Sequence, residues 1–227
     1  MNQAKFLLLP LFLFCFFTSC RQLTDEKYIS EGIIEYDISY PETAEDNVMI
    51  ALMPKTMLLK FKNDKVAFEF TGGMGLFKAT FVSDLQNQKL LHLVKILNKK
   101  YALTYNAAEI HDIDEMPGIN INFTGEKKTI AGYETKRSLI TFKDDENTSY
   151  DIYFTEDINL KTPNWSTPYK EINGVLMEYQ LKRYNVVMRF TATSVKKADI
   201  DDSDFEKPDD YKIITKEEMD QLFLNLN

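Results

Sequence analysis

Few side chains in this sequence are suited to catalysis. The 227 residues include two cysteines and two histidines, which are Cys15, Cys20, His92 and His111. The sequence lacks the pattern Gly-x-Ser-x-Gly that places a nucleophilic serine on a sharp turn, and only the histidines could supply an imidazole base. Carboxylate pairs are harder to exclude, because partners such as Glu178 and Asp151 meet in space and not along the chain. We therefore expect a non-catalytic protein, with a carboxylate-based hydrolase as the weaker alternative.

Cys20 is more informative than any catalytic candidate, because of what precedes it. Lys5 is followed by an apolar run from Phe6 to Phe17 and then by Thr18-Ser19-Cys20. A positive charge, an apolar middle and small residues at a cleavage site are typical of a bacterial secretion signal. The arrangement resembles the lipobox of bacterial lipoproteins, in which the signal is removed and the cysteine becomes the lipidated first residue. This resemblance implies that lipid chains on Cys20 hold the protein to a membrane.

Two alternatives for the N-terminal segment are weaker. A membrane-spanning helix needs about 20 apolar residues, whereas this run is shorter and contains Pro10. An ordinary secreted protein would not need a cysteine at the cleavage site. We therefore expect a lipoprotein signal peptide at residues 1–19, a tether at residues 20–30 and a single β-rich domain at residues 31–227. The expected location is the cell envelope, at the outer membrane, with exposure to the periplasm or to the cell surface left open.

The composition limits the classes of partner that we expect this protein to bind. The formal net charge is −8, and a chain of this sign does not wrap a polyanion, so we expect no nucleic-acid partner. After removal of the signal, Cys20 is the remaining cysteine and carries lipid, so the domain has no thiol for a disulfide. A chain of this length can bury enough apolar surface in its own core to be stable without disulfides.

Alternation of apolar and polar residues predicts a mostly β chain from residue 32 onward. The first strand presents four apolar residues on one face, namely Ile34, Tyr36, Ile38 and Tyr40. Asn63-Asp64 is a turn signal between two such strands and predicts a hairpin. Further strands are predicted at residues 56–61, 65–70, 76–83, 89–95, 96–105, 119–123, 133–142, 149–154, 175–182 and 186–195. Many strands at short, even spacing predict an antiparallel barrel or sandwich.

Helices and irregular segments complete the prediction. Residues 43–53 are acidic and then apolar, and they predict a short helix before Pro54. Residues 156–173 form a long loop, and residues 199–210 an acidic linker. Thr215 and Glu218 form a capping box, which predicts a C-terminal helix. Its apolar residues recur at helical spacing and should pack on the sheet; they are Met219, Leu222, Phe223 and Leu226.

Three segments together resemble a known family. They are residues 129–136 (TIAGYETK), 151–158 (DIYFTEDI) and 172–179 (INGVLMEY). Their order and spacing resemble the small Gram-negative envelope lipoproteins and secreted proteins that carry a Gly-Leu-Pro-Gly-Leu-Ile motif. Gly174 and Leu176 agree with that motif while Asn173 and Val175 depart from it, so the chain resembles a relative of the family and not a member.

The resemblance implies a fold. These proteins are similar in outline to the periplasmic lipoprotein carrier, which is an open, strongly curved antiparallel sheet with a helix over its concave side. We therefore expect a mainly β (α+β) fold: an open half-barrel with a covering helix and a C-terminal helix. Such a sheet implies a cupped apolar surface that holds an acyl chain or another hydrophobic ligand.

An excess of Phe, Tyr and Met supplies candidates for that surface. Methionine is unbranched and adapts to varied apolar ligands, although the same residues also fill ordinary cores. The candidate ligand-binding residues are Met49, Met53, Met57, Phe68, Phe70, Met74, Leu76, Phe77 and Trp165. The glycine-rich segment that contains Met74 fits either a lid or membrane-touching flap, or a sheet corner. Trp165, between two prolines, fits a rigid binding edge or a plug at one end of a barrel.

Metal sites are weakly indicated. The segment around His111 is acidic, but its spacing matches no metal-ligand template and is typical of a solvated turn. Residues 199–210 resemble a calcium loop, yet Asp204 occupies the position of the essential glycine and Asp210 that of the bidentate glutamate. We therefore expect no metal and no cofactor. The leading interpretation is a lipid-anchored protein that binds a hydrophobic ligand, and the alternative is an envelope scaffold that uses the same sheet to bind a protein partner.

Overall fold

The computed structural model describes residues 29–43, 53–110, 118–143, 148–183 and 186–224. The predicted signal peptide, Cys20, Met49, the segment around His111, Leu226 and most of the helix predicted over residues 43–53 lie outside the described residues.

Within the described residues, twelve strands form a single sheet. They are β1 (Glu31–Ser39), β2 (Thr56–Lys62), β3 (Lys65–Gly72), β4 (Phe77–Asp84), β5 (Lys89–Ile96), β6 (Lys99–Asn106), β7 (Ile119–Ile130), β8 (Tyr133–Phe142), β9 (Ser149–Thr155), β10 (Val175–Arg183), β11 (Val186–Lys196) and β12 (Lys212–Ile213). Two α-helices accompany them in the described part, α1 (Ala107–Ile110) and α2 (Lys216–Leu224). The strand order is β12-β6-β5-β4-β3-β2-β1-β11-β10-β9-β8-β7, so the sheet does not close on itself. The prediction of a mainly β, open and curved antiparallel sheet is confirmed.

The order follows from two meanders joined by β1. Strands β2 to β6 and β7 to β11 each pair with the next strand along the chain, while β1 pairs with both β2 and β11. The alternation predicted for β1 is confirmed, since Ile34, Tyr36 and Ile38 are buried while Asp37 and Ser39 are exposed.

The sheet is strongly curved, and ring contacts show by how much. Phe70 on β3 and Phe190 on β11 have ring centroids 6.1 Å apart, although β2 and β1 lie between these strands. In a flat sheet three strand spacings would separate them by roughly 14 Å. The face that carries Phe70 and Phe190 is therefore the concave face. Irregular pairing between β1 and β11, and between β9 and β10, bends the sheet locally.

The chain after β11 crosses the convex face. Ile200 and Phe205 are buried there against Ala67 and Val82, so the predicted acidic linker is a packed segment that contains a short 3-10 helix, Asp202–Phe205. β12 then adds to β6 as the one parallel pair among the described strands.

Helix α2 lies on the concave side of β4 to β6. The predicted capping box is present, with the amide of Thr215 donating to Glu218 Oε2 at 2.9 Å and the amide of Glu218 donating to Thr215 Oγ1 at 3.2 Å. Met219 is fully buried against Val94, and Phe223 meets the ring of Phe77 edge to face. The predicted packing of this helix is confirmed. Among the described residues, no helix has both the length and the apolar character needed to cross a bilayer.

Candidate functional site

Aromatic rings line the concave face in a nearly continuous row. Tyr179 stacks on Phe190 with ring centroids 4.8 Å apart, and Phe190 contacts Phe70 across the concave face. Phe70 in turn meets Phe81 edge to face at 6.1 Å. The row continues through His92, which is buried and stacked on Phe81 at 4.1 Å. An apolar and aromatic surface of this kind binds acyl chains and other nonpolar groups by burying area.

The middle of this face is covered by residues 156–173, which we call the cover segment. Four of its apolar residues are buried in the main core, namely Ile158, Leu160, Tyr169 and Ile172. One isolated bridge, between Ile158 and Ile29, joins the segment to the residues just before β1, and beside it the amide of Asn159 donates to the carbonyl of Ile29 at 3.1 Å. The predicted long loop is thus the roof of the concave face.

Asn164 holds the cover segment closed on itself. Its buried side chain donates from Nδ2 to the carbonyl oxygens of Ile172 and Gly174, at 2.8 and 2.9 Å. Buried carbonyls need such partners, because an unpaired one loses its hydration without compensation. The Gly174 position has no room for a side chain, since a Cβ atom would lie 2.7 Å from Phe154 Cδ2 and 2.8 Å from the carbonyl oxygen of Thr155.

Trp165 and Tyr169 attach the cover segment to the sheet. The indole Nε1 of Trp165 donates to Ser83 Oγ on β4 at 2.7 Å. The hydroxyl of Tyr169 donates to the carbonyl of Gln180 on β10 and also contacts the hydroxyl of Tyr150. Side-chain hydrogen bonds, and not strand pairing, therefore make most of the polar attachments.

Two buried tyrosines lie below the cover segment and remain neutral. The hydroxyl of Tyr36 donates to the carbonyl of Leu176 at 2.8 Å. Burial raises the pKa of Tyr36 well above 10, and the neighbouring Tyr179 adds to this effect. Burial also raises the pKa of Tyr179. Neither group carries charge into the apolar face at neutral pH.

A cavity of about 30 Å³ lies between the cover segment and the sheet. Its lining is mostly apolar and comprises Tyr36, Leu59, Val66, Phe68, Leu160, Pro163, Asn164, Thr167, Val175, Leu176 and Tyr179. This volume is close to that of one water molecule, whereas sites for small ligands measure roughly 300–1,000 Å³. A ligand of the size of an acyl chain therefore requires movement of the cover segment.

The structure distributes the predicted ligand-binding residues over three places. Phe68 lines the cavity, and Met53, Met57, Phe70 and Trp165 belong to or pack against the same core. Phe77 lies further along the concave face, under α2. Met74 and Leu76 do not line the concave face: they are exposed at the turn between β3 and β4. Met49 lies outside the described residues.

Sequence reasoning missed the polar members of this site. Asn164 and Tyr169 stand in a loop rich in Pro, Thr and Asn, where polar residues are ordinary. Tyr36 and Tyr179 could have been found from the sequence. Each places a hydroxyl group at a strand position where the alternation expects an apolar residue. The hydroxyls of Tyr36 and Tyr169 and the side-chain amide of Asn164 donate to backbone carbonyls that lie elsewhere in the chain, and the sequence does not show which carbonyls these are.

The carboxylates proposed for hydrolysis are engaged in ion pairs. Glu178 Oε2 lies 2.6 Å from Lys128 Nζ, and Glu178 Oε1 contacts Arg189. Burial acts to raise the pKa of Glu178, but the hydrogen bonds from Lys128 and Arg189 outweigh burial and hold the pKa below 4.5. Asp151 is paired with Arg137 at 2.8 Å. A lowered pKa is the opposite of what a general acid requires.

Acidic residues of the segment that resembles a calcium loop are also engaged in ion pairs and hydrogen bonds. Asp204 lies 2.7 Å from Lys60 and Asp202 lies 3.0 Å from Lys62, while Asp201 accepts the amide of Ser203 at the start of the 3-10 helix. Across the part of the chain that the structure describes, no three His, Cys, Asp or Glu side chains converge as metal ligands would.

Comparison with known proteins adds no relative. No protein-family model matches the chain, and no curated protein matches its sequence. The resemblance to the Gly-Leu-Pro-Gly-Leu-Ile-motif lipoproteins therefore stays a prediction.

Proposed function

We propose that the chain is a lipid-anchored protein of the cell envelope that binds an acyl chain, or a similar nonpolar ligand, on the concave face of its sheet. The binding is non-catalytic, and Cys20 carries the anchor. The observation that carries the proposal is an aromatic concave face that is roofed by a loop and not by further strands, with an apolar cavity beneath the roof.

The ligand enters by exchange with the cover segment. Leu160 and Pro163 line the cavity together with Phe68 and Tyr179, so an acyl chain that displaces the first two restores apolar contact with the same rings. The area removed from water is similar before and after the exchange, and this limits the free energy that opening costs.

Moving the cover segment away from the sheet also requires less free energy than moving a paired strand would. A paired strand must break a ladder of backbone hydrogen bonds, whereas the cover segment is attached mainly by the side chains of Trp165 and Tyr169 and by the bridge at Ile158. Segments of this kind open at lower free energy than paired strands.

Lipid extraction tests the proposal. The full chain is purified from a bacterial envelope and extracted with organic solvent, which removes non-covalent lipid and leaves a thioether-linked anchor in place. We expect a stoichiometric lipid or fatty acid in the extract, and displacement of a fluorescent fatty acid by an unlabelled one. An extract without lipid, together with no binding of the fluorescent fatty acid, would refute the proposal.

Ser83→Ala should ease opening of the cover segment. The substitution removes the acceptor of the Trp165 indole and leaves that donor without its 2.7 Å partner, at a cost of about 1 kcal/mol to the closed form. We expect faster uptake and faster release of a fluorescent fatty acid in stopped-flow measurements. The matched control is Ser194→Ala on β11, opposite Glu35, which should leave both rates unchanged. Equal rates in the two variants would show that the Trp165 contact does not control entry.

The alternative is an envelope scaffold that binds a protein partner through the same sheet. The small volume of the cavity favours it, because a filled interior has no space for a ligand in the closed form. Recovery of one stoichiometric protein from envelope extracts, with no lipid in the organic extract, is the result that would decide for the scaffold.

A further inference from the structure

Three large apolar side chains project into solvent at one end of the sheet. Met74 is 96% exposed, Leu76 53% and Leu97 60%. Met74 and Leu76 lie in the turn between β3 and β4, and Leu97 lies in the turn between β5 and β6. The two turns are adjacent, since the amide of Leu97 donates to the carbonyl of Leu76 at 2.7 Å. We call residues 73–76 and 97–98 the tip.

The tip carries apolar residues where the backbone favours other types. Met74 and Leu97 both adopt left-handed conformations, with φ of 53° and 55°, which disfavour a side chain with a Cβ atom. The turn between β2 and β3, at the opposite end of the sheet, has the same φ of 53° at Asn63, and asparagine is the residue that tolerates this conformation. At the tip, leucine and methionine incur both the conformational cost and the cost of exposure, and they gain no burial within the chain.

The charge around the tip is opposite to that of the whole protein. The chain has a net charge of −8, yet it has no acidic residue between Asp84 and Glu109, a stretch with four lysines. Lys95 and Lys99, which flank Leu97, form no ion pair with any residue that the structure describes.

Two further lysines near the tip are neutralised by acidic partners on other elements. Lys78 is 2.9 Å from Glu69, and Lys100 is paired with Asp210. The free positive charge therefore sits beside the exposed leucine.

We propose that the tip is a membrane-contacting surface, in which Met74, Leu76 and Leu97 enter the headgroup region of an anionic bilayer while Lys95 and Lys99 bind lipid phosphates. Apolar side chains with lysines directly behind them match the two layers of a bilayer surface. A protein partner fits less well, because stable protein interfaces bury roughly 1,200–2,000 Å², and three side chains on two turns present a small projecting surface.

The position of the tip distinguishes this contact from the proposed anchor. The carbonyl of Ser30 accepts the amide of Asn63 at 3.0 Å, so the N-terminal end of β1 lies at the turn between β2 and β3. That turn and the tip are at opposite ends of β3. The tip is therefore a second contact with lipid, and it depends neither on lipidation of Cys20 nor on a ligand in the concave face.

A depth measurement tests the proposal. The full chain with Cys15→Ser and Cys20→Ser receives one new cysteine, at Met74, which is labelled with an environment-sensitive fluorophore. The chain is reconstituted through its apolar N-terminal run into vesicles of phosphatidylcholine and phosphatidylglycerol, with a nitroxide lipid either in the same vesicles or in a second, added population. We expect a blue-shifted emission and nitroxide quenching in at least one arrangement. A label at Gln86, in the turn between β4 and β5, should remain in water.

Two variants separate the apolar and the electrostatic parts. Leu97→Asn relaxes the left-handed turn, so the fold should be at least as stable while quenching at position 74 falls. Lys99→Gln should weaken the contact roughly fivefold, in line with the usual contribution of one lysine at an anionic surface. The proposal is overturned by a label at 74 that stays as water-exposed as the label at 86, by equal quenching in pure phosphatidylcholine, or by shielding that appears only with added envelope proteins.

Discussion

Asn164→Asp is expected to release the cover segment and to lower the free energy of unfolding by about 4 kcal/mol near neutral pH. The substitution keeps the size of the side chain but replaces the Nδ2 donor with an oxygen. That oxygen would face the carbonyl oxygens of Ile172 and Gly174, which now receive hydrogen bonds at 2.8 and 2.9 Å. A buried negative charge and two unpaired buried acceptors therefore replace a satisfied amide.

Urea denaturation and tryptophan emission measure this effect. Trp165 is the single tryptophan of the chain and follows Asn164 directly, so its emission should shift to the red when the cover segment leaves the sheet. The buried aspartate should have a raised pKa, so its protonated form is favoured at lower pH. The loss should therefore be smaller near pH 5 than near pH 7.

Asn173→Asp is the matched control for Asn164→Asp. It makes the same chemical change at an exposed position of the same segment, so we expect a change within about 0.5 kcal/mol. If both variants unfold at the same urea concentration, Asn164 does not hold the cover segment.

Glu178→Gln is expected to cost about 2 kcal/mol of stability near neutral pH. The carboxylate is 9% exposed and bonds Lys128 at 2.6 Å as well as Arg189. Lys128 also lies 3.6 Å from the centroid of the Tyr153 ring. Through these contacts Glu178 connects β10 and β11 to β7, which is three strands away from β10 in the sheet. A neutral amide keeps the shape but loses both charge-assisted bonds.

The destabilisation by Glu178→Gln should depend on pH, and the direction of that dependence follows from the pKa of Glu178. The pKa of Glu178 in the folded protein lies below its ordinary value of 4.5, because the hydrogen bonds from Lys128 and Arg189 outweigh the opposing effect of burial. A lowered pKa stabilises the fold above that ordinary value, and the stabilisation is lost as the pH falls below it. The difference between wild type and Glu178→Gln should therefore shrink from near pH 7 to about pH 3.

Glu134→Gln provides the comparison for Glu178→Gln. Glu134 pairs with Lys127 at 2.7 Å, but its side chain is 63% exposed, and exposed pairs contribute little. We expect a change below about 0.5 kcal/mol at either pH. A Glu178→Gln variant with the same stability profile as Glu134→Gln would contradict the structural role assigned to the buried pair.

Local patterns were sufficient where the structure depends on local chemistry. The hairpin at Asn63-Asp64 and the capping box at Thr215 and Glu218 involve residues within three positions of one another, and both occur as predicted. The edge strand β7 was predicted over residues 119–123 but continues to Ile130. Residues 124–129 of this strand carry no large apolar side chain and are mostly exposed, so they show no alternation to detect.

The site was predictable only in its apolar part. Phe68 and Phe70 were candidates for the ligand surface because the chain has an excess of Phe, Tyr and Met, and they lie on the concave face. Met74 and Leu76 belong to the same hairpin, yet they project from its turn and not from its face. Whether an apolar residue lines a surface or extends beyond it depends on where the strand ends, and strand ends are the least certain part of a sequence-based prediction.

By itself the sequence determined the strand phases, the hairpin turns and the capped terminal helix, because each depends on contacts between close neighbours in the chain. The tertiary structure decided the curvature that brings Phe70 to Phe190, the roof that residues 156–173 form, and the carbonyls that Asn164 satisfies. Those features depend on how far a twelve-stranded sheet bends, and the bend is the sum of small twists and bulges spread over many pairs of strands.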